Sequence, residues 1–253
     1  MACQVPVIYW MGDGFIDRMG APDRYTPVMA RPTFKKDLVE MVASVLVMSF
    51  GVVLTVKASM GASPIVSLPN VISGITGLSL GTTIFIVYTL FIVMEWAIIR
   101  DRKRILLTLS QLPFSMLFSL FVDIIVWMLG SWEVTGPVEQ WVLVIVGTAI
   151  IGFGCVLEID ADISMLADDG LVLTISRATK VRLDKVMVIF DIVFVASAFI
   201  LSYAVLQDFV GVGWGTIFAG LTLGLFVRFF TKVVKTYIRR DGNISVRRPR
   251  RHP

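Results

Sequence analysis

The stretch Glu158-Ile-Asp-Ala-Asp-Ile-Ser-Met-Leu-Ala-Asp-Asp-Gly170 carries five carboxylates within twelve residues and follows a strongly apolar run. A charged side chain inside a bilayer is costly, so such residues face water, a partner charge or a ligand. The stretch is therefore either a cytoplasmic loop or the wall of a polar cavity. The rest of the chain has to distinguish these two interpretations.

The composition is that of a membrane protein. The 253 residues are 56% hydrophobic and 17% charged, whereas soluble domains are about 45–50% apolar and about 25% charged. We expect an all-α, polytopic transmembrane helix bundle. Six apolar runs approach the length that a helix needs to cross the hydrocarbon: 38–56, 82–99, 105–129, 141–157, 186–206 and 214–235.

The composition also disfavours several classes of protein. In a membrane protein the net charge of +4 reports topology first, so it is not a nucleic-acid signal. Two cysteines are too few for a disulfide framework, and one histidine with no CxxC motif disfavours a zinc or haem site. We find no nucleophile–base pair and no metal-ligand spacing, so we expect neither a cofactor nor an enzyme.

The basic residues define the topology. Of the 23 Lys and Arg, 21 fall in four clusters: before the first span, in 100–104, in 177–185 and from 232 onward. All four clusters lie on the cytoplasmic side if the Gly- and Pro-broken segment 58–81 enters and leaves on one side. The positive-inside rule favours this arrangement, with six spans and both termini inside. It makes 58–81 and the acidic segment 158–185 re-entrant or broken, one from each side.

The chain also repeats weakly. Ile72-Ser73 matches Ile175-Ser176, and Phe91 matches Phe194, at the same offset along the chain. The order of elements repeats as well, which predicts an inverted 3+3 repeat with copies at about 38–130 and 141–237. Flanking this bundle at 38–237 we expect a cytoplasmic N-terminal extension, 1–37, and a basic cytoplasmic tail, 238–253.

Two pairs of charged residues within or at the ends of spans correspond to each other in the repeat. The repeat relates Lys57 to Glu158, and Asp123 to Arg228, with the charges reversed. We therefore predict two intramembrane ion pairs, Lys57–Asp123 and Glu158–Arg228, because pairing relieves much of the cost of a buried charge. In the alternative interpretation, Lys57 and Glu158 extend to the interface, as charges at helix ends do.

The two broken segments each predict a short helix that begins inside the membrane. Ser63 is a good N-cap with Pro64 at the first helical position, and Asp169 is a plausible cap before Leu171. Two such N-termini near the midplane suit an anionic group of a ligand, and the nearby acids suit a cation, an amine or a proton. Alternatively, these signals are ordinary turns, and acids such as Asp160 and Asp168 belong to a solvated loop.

An acid within the fifth span extends the predicted site. Asp191 has apolar neighbours on both sides and should face the bundle interior. Glu95 is a weaker candidate because it can reach the cytoplasmic interface. The predicted substrate- or ion-binding residues are Ser63, Glu158, Asp162, Asp169 and Asp191.

Several strings, in order, resemble the YczE/YyaS/YitT family of bacterial integral membrane proteins. They are GVVLTVKASMGASPIVSLP (51–69), QLP (111–113) with FVD (121–123), EIDAD (158–162) with DGLVLTIS (169–176), and Lys185 with FD (190–191). The resemblance covers about 38–237. It implies a multi-pass protein of the bacterial inner membrane and indicates no enzyme activity.

We therefore expect a small secondary transporter or permease for a small polar or zwitterionic solute, with a proton or cation as a further ligand. Its partners would be the lipid bilayer and that solute, with no nucleic acid. The alternative is a non-transporting membrane scaffold or accessory protein, in which the charges serve assembly only.

Overall fold

The computed structural model describes residues 34–99, 108–132, 134–161, 163–207 and 211–240, with the side chains of 184 and 235–240 left undescribed. Within these ranges every regular element is a helix. Asp162, most of the N-terminal extension and the tail from residue 241 lie outside the described residues. The eight helices of the described residues are α1 Phe34–Lys57, α2 Pro64–Thr76, α3 Leu80–Ile98, α4 Gln111–Leu129, α5 Pro137–Ala161, α6 Ala167–Thr179, α7 Leu183–Leu206 and α8 Trp214–Arg240.

Six of these helices are long and apolar enough to cross a membrane, namely α1, α3, α4, α5, α7 and α8. This confirms the six predicted spans and the all-α class. Their outer faces carry large exposed apolar side chains, such as Leu120, Ile192 and Leu221. That distribution suits contact with lipid rather than with water.

The short helices α2 and α6 each have 13 residues and fall within the two broken segments. Helix α2 begins at Pro64, directly after Ser63, as predicted. It ends at Gly77, which adopts the left-handed conformation (φ 72°) and donates its N–H to the Ser73 carbonyl. Glycine reaches this conformation without a steric penalty, which is why it ends the helix here.

The centre of the bundle is the contact between α1 and α5. A Cβ at Gly51 would lie 2.7 Å from the Gly147 carbonyl oxygen, and a Cβ at Gly147 would lie 2.8 Å from the Gly51 carbonyl oxygen. The two backbones approach this closely because neither position carries a side chain.

The remaining helices pack around this pair in matching ways. Helix α4 packs on α1 and α8 on α5, while α2 packs on α7 and α6 on α3. Helix α6 also contacts α4 and α7. The contact between α3 and α4 is extensive, and it includes Asp123 of α4, whose counterpart in α8 is the exposed Arg228.

Candidate functional site

The first turn of α6 lies at the middle of α3. The Tyr88 hydroxyl interacts with the Asp168 carboxyl, and Tyr88 is eight residues from the start of α3 and ten from its end. At about 1.5 Å per residue, both ends of α3 are about 12–15 Å away along its axis. Six residues later along α6, Thr174 meets Glu95, close to the end of α3. Helix α6 thus runs from the middle of α3 toward its C-terminal end.

Glu158 holds the start of α6. Its Oε1 accepts a hydrogen bond from the backbone N–H of Leu166, the N-cap residue, at 2.9 Å. Its Oε2 is buried and has no hydrogen-bond partner in the described part of the chain. The prediction that Asp169 caps this helix was wrong, because α6 begins two residues earlier and Asp169 lies in its first turn. A carboxylate there still benefits from the partial positive charge of the helix N-terminus.

Two further acids belong to the same region of the bundle, and we call Glu158, Asp168 and Asp191 the acidic cluster. Asp168 interacts electrostatically with both Glu158 and Asp191. Asp191 comes from α7 and is buried, as predicted. Among the residues that the structure describes, Asp168 Oδ1 and Asp191 Oδ2 accept no hydrogen bond. Three carboxyl oxygens from three helices are thus available to a ligand or a proton.

A second carboxyl site lies one to two turns along α6, and we call Glu95, Gln111 and Thr174 the Glu95 network. Glu95 Oε1 accepts from Thr174 Oγ1 at 2.8 Å, and Oε2 accepts from Gln111 Nε2 at 3.1 Å. The Thr108 hydroxyl also donates to this carboxylate. Glu95 was the weaker candidate in the sequence because it can reach the cytoplasmic interface, but only 5% of its surface is exposed in the structure. With both oxygens occupied, Glu95 joins α3, α4 and α6.

Gln111 lies directly on Gly170 of α6. A methyl group at Gly170 would overlap the Gln111 amide, so an alanine there would displace the Gln111 side chain. Gln111 Oε1 is buried, and so is Ser115 Oγ one turn further along α4. Neither atom has a hydrogen-bond partner within the described ranges.

Both predicted ion pairs were wrong. Lys57 Nζ donates to the Gly130 carbonyl at 2.7 Å. Asp123 instead accepts from the Gly81 N–H at 2.7 Å and from the Ser79 hydroxyl at 2.6 Å. The physical reason is that backbone groups at helix ends are themselves unpaired and bind charged side chains as well as an opposite charge does.

The second predicted ion pair, Glu158–Arg228, is not formed, for a related reason. Glu158 turns toward the backbone of Leu166, and the Arg228 side chain is exposed on the outer face of α8. A long arginine side chain on that face can extend its guanidinium group to the membrane interface.

Ser63 lies in a different environment from the acidic cluster. It is buried at the start of α2, but its side chain makes no capping hydrogen bond. The adjacent Ala62 N–H donates to the Gly211 carbonyl, and the Gly215 N–H donates to the Met60 carbonyl. An open cavity of about 610 Å³ lies there, lined by Val56, Ser59, Met60, Gly61, Ala62, Asn70, Gly211, Val212, Gly213 and Trp214.

Among the acids considered from the sequence, the structure shows electrostatic interactions of Asp168 with Glu158 and Asp191, and of Asp169 with Glu158. It adds Tyr88, Gln111 and Thr174, which were not predicted. One signal for them was present: Tyr88 and Glu95 are seven residues apart, so they share one face of α3. Gln111 and Ser115, four residues apart, share one face of α4 in the same way.

The profile of a family described as "Family of unknown function (DUF6198)" matches residues 35–232. This range includes all eight helices at least in part, and the whole of the candidate site. The match does not confirm the resemblance to the YczE/YyaS/YitT family. No curated protein and no solved structure matches the chain.

Proposed function

The chain belongs to the DUF6198 family of unknown function, and from this premise we propose that it is a secondary transporter for a small cationic or zwitterionic solute. The acidic cluster binds the positive group of the solute or a coupling proton. One observation carries the proposal. Three buried carboxyl oxygens from α5, α6 and α7 have no hydrogen-bond partner in the described residues.

The energetic argument starts from burial. Glu158 and Asp191 are exposed over only 5% and 7% of their surfaces. Ionised carboxylates at such positions cost at least a few kcal/mol unless a cation or hydrogen-bond donor accompanies them. If a proton and a cation bind to the site in alternation, each neutralises the buried carboxylates and removes this energetic cost while it is bound. Reversible occupancy of this kind is what a transport cycle requires.

The position of the site supports the same proposal. The first turn of α6 meets α3 at its middle, consistent with a re-entrant helix whose N-terminus lies near the midplane. Residues 34–129 and 137–240 share the order long, short, long, long. Exchanging the two halves also converts the α1–α4 contact into α5–α8, and α2–α7 into α6–α3. Inverted repeats around a midplane site are a common transporter architecture.

We also propose the orientation and location that the charges favour. The protein lies in a bacterial inner membrane with both termini in the cytoplasm, because the basic clusters then share one side. Helix α6 enters from that side and α2 from the other.

Reconstituted protein tests the proposed function. Proteoliposomes should take up radiolabelled small amines or amino acids from a mixed pool, and a pH gradient should change the rate. Asp168→Asn and Asp191→Asn should reduce the rate by tenfold or more, on the order of the effect of losing one hydrogen bond to a charged group. Glu139→Gln, at an exposed acid of α5, is the matched control and should keep the wild-type rate.

Two outcomes would reject the proposal. Uptake that is unchanged in both Asn variants would show that the acidic cluster plays no part. No uptake and no solute-dependent stabilisation across the pool would favour the scaffold alternative instead.

A further inference from the structure

We propose that Glu95 binds and releases a proton, and that Gln111 accepts the hydrogen bond which the protonated acid donates. This assignment names the site of the coupling proton and therefore rests on the proposed function. Its evidence is separate, because it comes from the hydrogen bonds of the Glu95 network and from the burial of that network.

Glu95 is a buried acid whose hydrogen-bond donors are uncharged. Its Oε1 accepts from the Thr174 hydroxyl at 2.8 Å, and its Oε2 accepts from the Gln111 amide at 3.1 Å. Thr108 also hydrogen-bonds the carboxyl group. Only 5% of the Glu95 surface is exposed. A hydroxyl or an amide can stay bound to this group in either protonation state, whereas the cation of an ion pair would keep it ionised.

Arg177 is a charged group that acts on Glu95 through space. The described titratable side chains on the helices that pack against α3 are Asp123 on α4, Asp168, Asp169 and Arg177 on α6, and Lys185, Asp191 and Tyr203 on α7, while α2 carries none. Helix α3 itself adds Tyr88, two turns before Glu95. Arg177 lies one turn beyond Thr174, interacts electrostatically with Glu95 and favours the ionised form. Proton binding at Glu95 therefore acts against the charge of Arg177.

Gln111 gives the pair two hydrogen-bonded forms. In the structure its Nε2 donates to Glu95 Oε2, which fits an ionised carboxylate because that group can only accept. Its Oε1 is buried and has no hydrogen-bond partner within the described ranges. Once a proton binds to Glu95 Oε2, the acid becomes a donor, and a half-turn of the amide lets Gln111 Oε1 accept from it. The oxygen that is unpaired in one form is therefore the acceptor in the other.

The position of Glu95 gives the proton a short path. Glu95 lies three residues before Ile98, where α3 ends, and this is about 4.5 Å along the helix axis. In the proposed orientation this end of α3 faces the cytoplasm, so cytoplasmic water supplies the proton and receives it again. A neutral acid is also a weaker acceptor than a carboxylate. Protonation of Glu95 therefore weakens the hydrogen bond from Thr174 and loosens the contact of α6 with α3.

Infrared spectroscopy of the full-length protein in detergent tests proton binding at Glu95. A protonated carboxyl group has a C=O stretching band that an ionised carboxylate lacks. The wild-type spectrum minus that of Glu95→Gln isolates the band of Glu95. We expect this band to appear on acidification and to be lost again at alkaline pH. A band that is absent, or present, at every pH at which the protein stays folded would overturn the proposal.

Gln111→Leu tests whether Gln111 is the acceptor, with Glu95→Gln/Gln111→Leu as its reference spectrum. Glu95 should still bind a proton in this variant, but its C=O band should move to higher wavenumber, because the protonated acid has lost a hydrogen bond. Ser115→Ala, at a buried hydroxyl one turn further along α4, is the matched control and should leave the band in place. An unchanged band in Gln111→Leu would reject Gln111 as the acceptor.

Glu95→Asp covers the case in which Glu95→Gln does not fold. The shorter side chain draws the acid away from Gln111, so the band should change in wavenumber and in the pH at which it appears. A titration identical to that of the wild type would overturn the assignment.

Proteoliposomes separate this assignment from the proposed function. Glu95→Gln should abolish the response of the uptake rate to a pH gradient, whereas the control Glu139→Gln should keep it. A Glu95 band that titrates in a protein without any uptake would leave the proton site intact and reject transport. Uptake that still responds fully to a pH gradient in Glu95→Gln would reject Glu95 as the coupling site and leave transport intact.

Discussion

The Asp123 carboxylate accepts a hydrogen bond from the backbone N–H of Gly81 at 2.7 Å, so an acid within α4 closes the first turn of α3. Its second oxygen accepts from the Ser79 hydroxyl, and Ser79 in turn accepts from the Thr82 N–H. The first N–H groups of a helix have no partner within the helix and carry partial positive charge. Asp123 thus binds the N-terminus of α3 instead of the predicted cation, Lys57.

Asp123→Leu should therefore destabilise the protein by about 1–3 kcal/mol, because it leaves the Gly81 N–H unpaired in a partly buried position. Asp123→Asn should cost much less, since an amide oxygen can still accept from Gly81 and its NH₂ can donate to Ser79. Unfolding in detergent, followed by tryptophan fluorescence, measures both. If Asn proves as harmful as Leu, the negative charge matters rather than the hydrogen bond.

Glu158 allows the structural role of a residue to be separated from its role in binding. Glu158→Gln keeps an oxygen that can accept from Leu166 N–H, whereas Glu158→Leu removes it. We expect Gln to retain most of the stability and Leu to lose about 1–3 kcal/mol. Both variants should lose the uptake of small amines or amino acids, measured in proteoliposomes. Retained uptake in the Gln variant would remove Glu158 from the binding site.

Hydropathy and charge were sufficient to predict the six spans, because each span must bury about 20 apolar residues whatever its neighbours are. The start of α2 could also be predicted, since the Ser63-Pro64 signal acts through local backbone geometry alone. The burial of Asp191 followed from its position within a span, whereas the sequence left open whether Glu158, at the end of a span, is buried or reaches the interface.

The partners of the charged residues could not be predicted in this way. Lys57 binds a carbonyl at Gly130, and Asp123 binds an N–H at Gly81. Every residue except proline has both of these backbone groups, so the sequence does not mark which ones become available at helix ends. The orientation of Gln111 likewise depends on helices that approach only in three dimensions.

The contact between Gly170 and Gln111 predicts a rescue. Gly170→Ala should destabilise the protein by about 1–3 kcal/mol, because the new methyl group overlaps the Gln111 amide. Gln111→Ala alone should also be destabilising, since Glu95 loses a donor. In the double variant the methyl group meets a small side chain. The loss of stability in the double variant should therefore be smaller than the sum of the losses in the two single variants, by about 0.5 kcal/mol or more. Simple additivity in a double-mutant cycle would mean that the two sites are independent.

The central contact between α1 and α5 predicts a strong dependence on side-chain size. Gly51→Val should cost about 1–3 kcal/mol or prevent folding, since any Cβ there lies within 3 Å of the Gly147 carbonyl and Ile151. Gly74→Ala in α2 is the matched control, because nothing lies within 4 Å of a Cβ at that position. It should be neutral or stabilising by up to about 1 kcal/mol. Equal losses in the two variants would argue against the close helix contact.

The proposed re-entrant path of α2 can be tested from its two ends. Ser59 precedes the helix and Leu78 follows it, and both side chains are exposed. A re-entrant helix returns the chain to the side from which it entered, whereas a spanning helix would place the two residues on opposite sides. In a background with Cys3 and Cys155 replaced by alanine, Ser59→Cys and Leu78→Cys should both react with a membrane-impermeant maleimide added to intact spheroplasts. Lys180→Cys, after α6, should react only once the membrane is permeabilised. Reaction of Leu78→Cys only after permeabilisation would make α2 a seventh span and would move the 100–104 basic cluster outside.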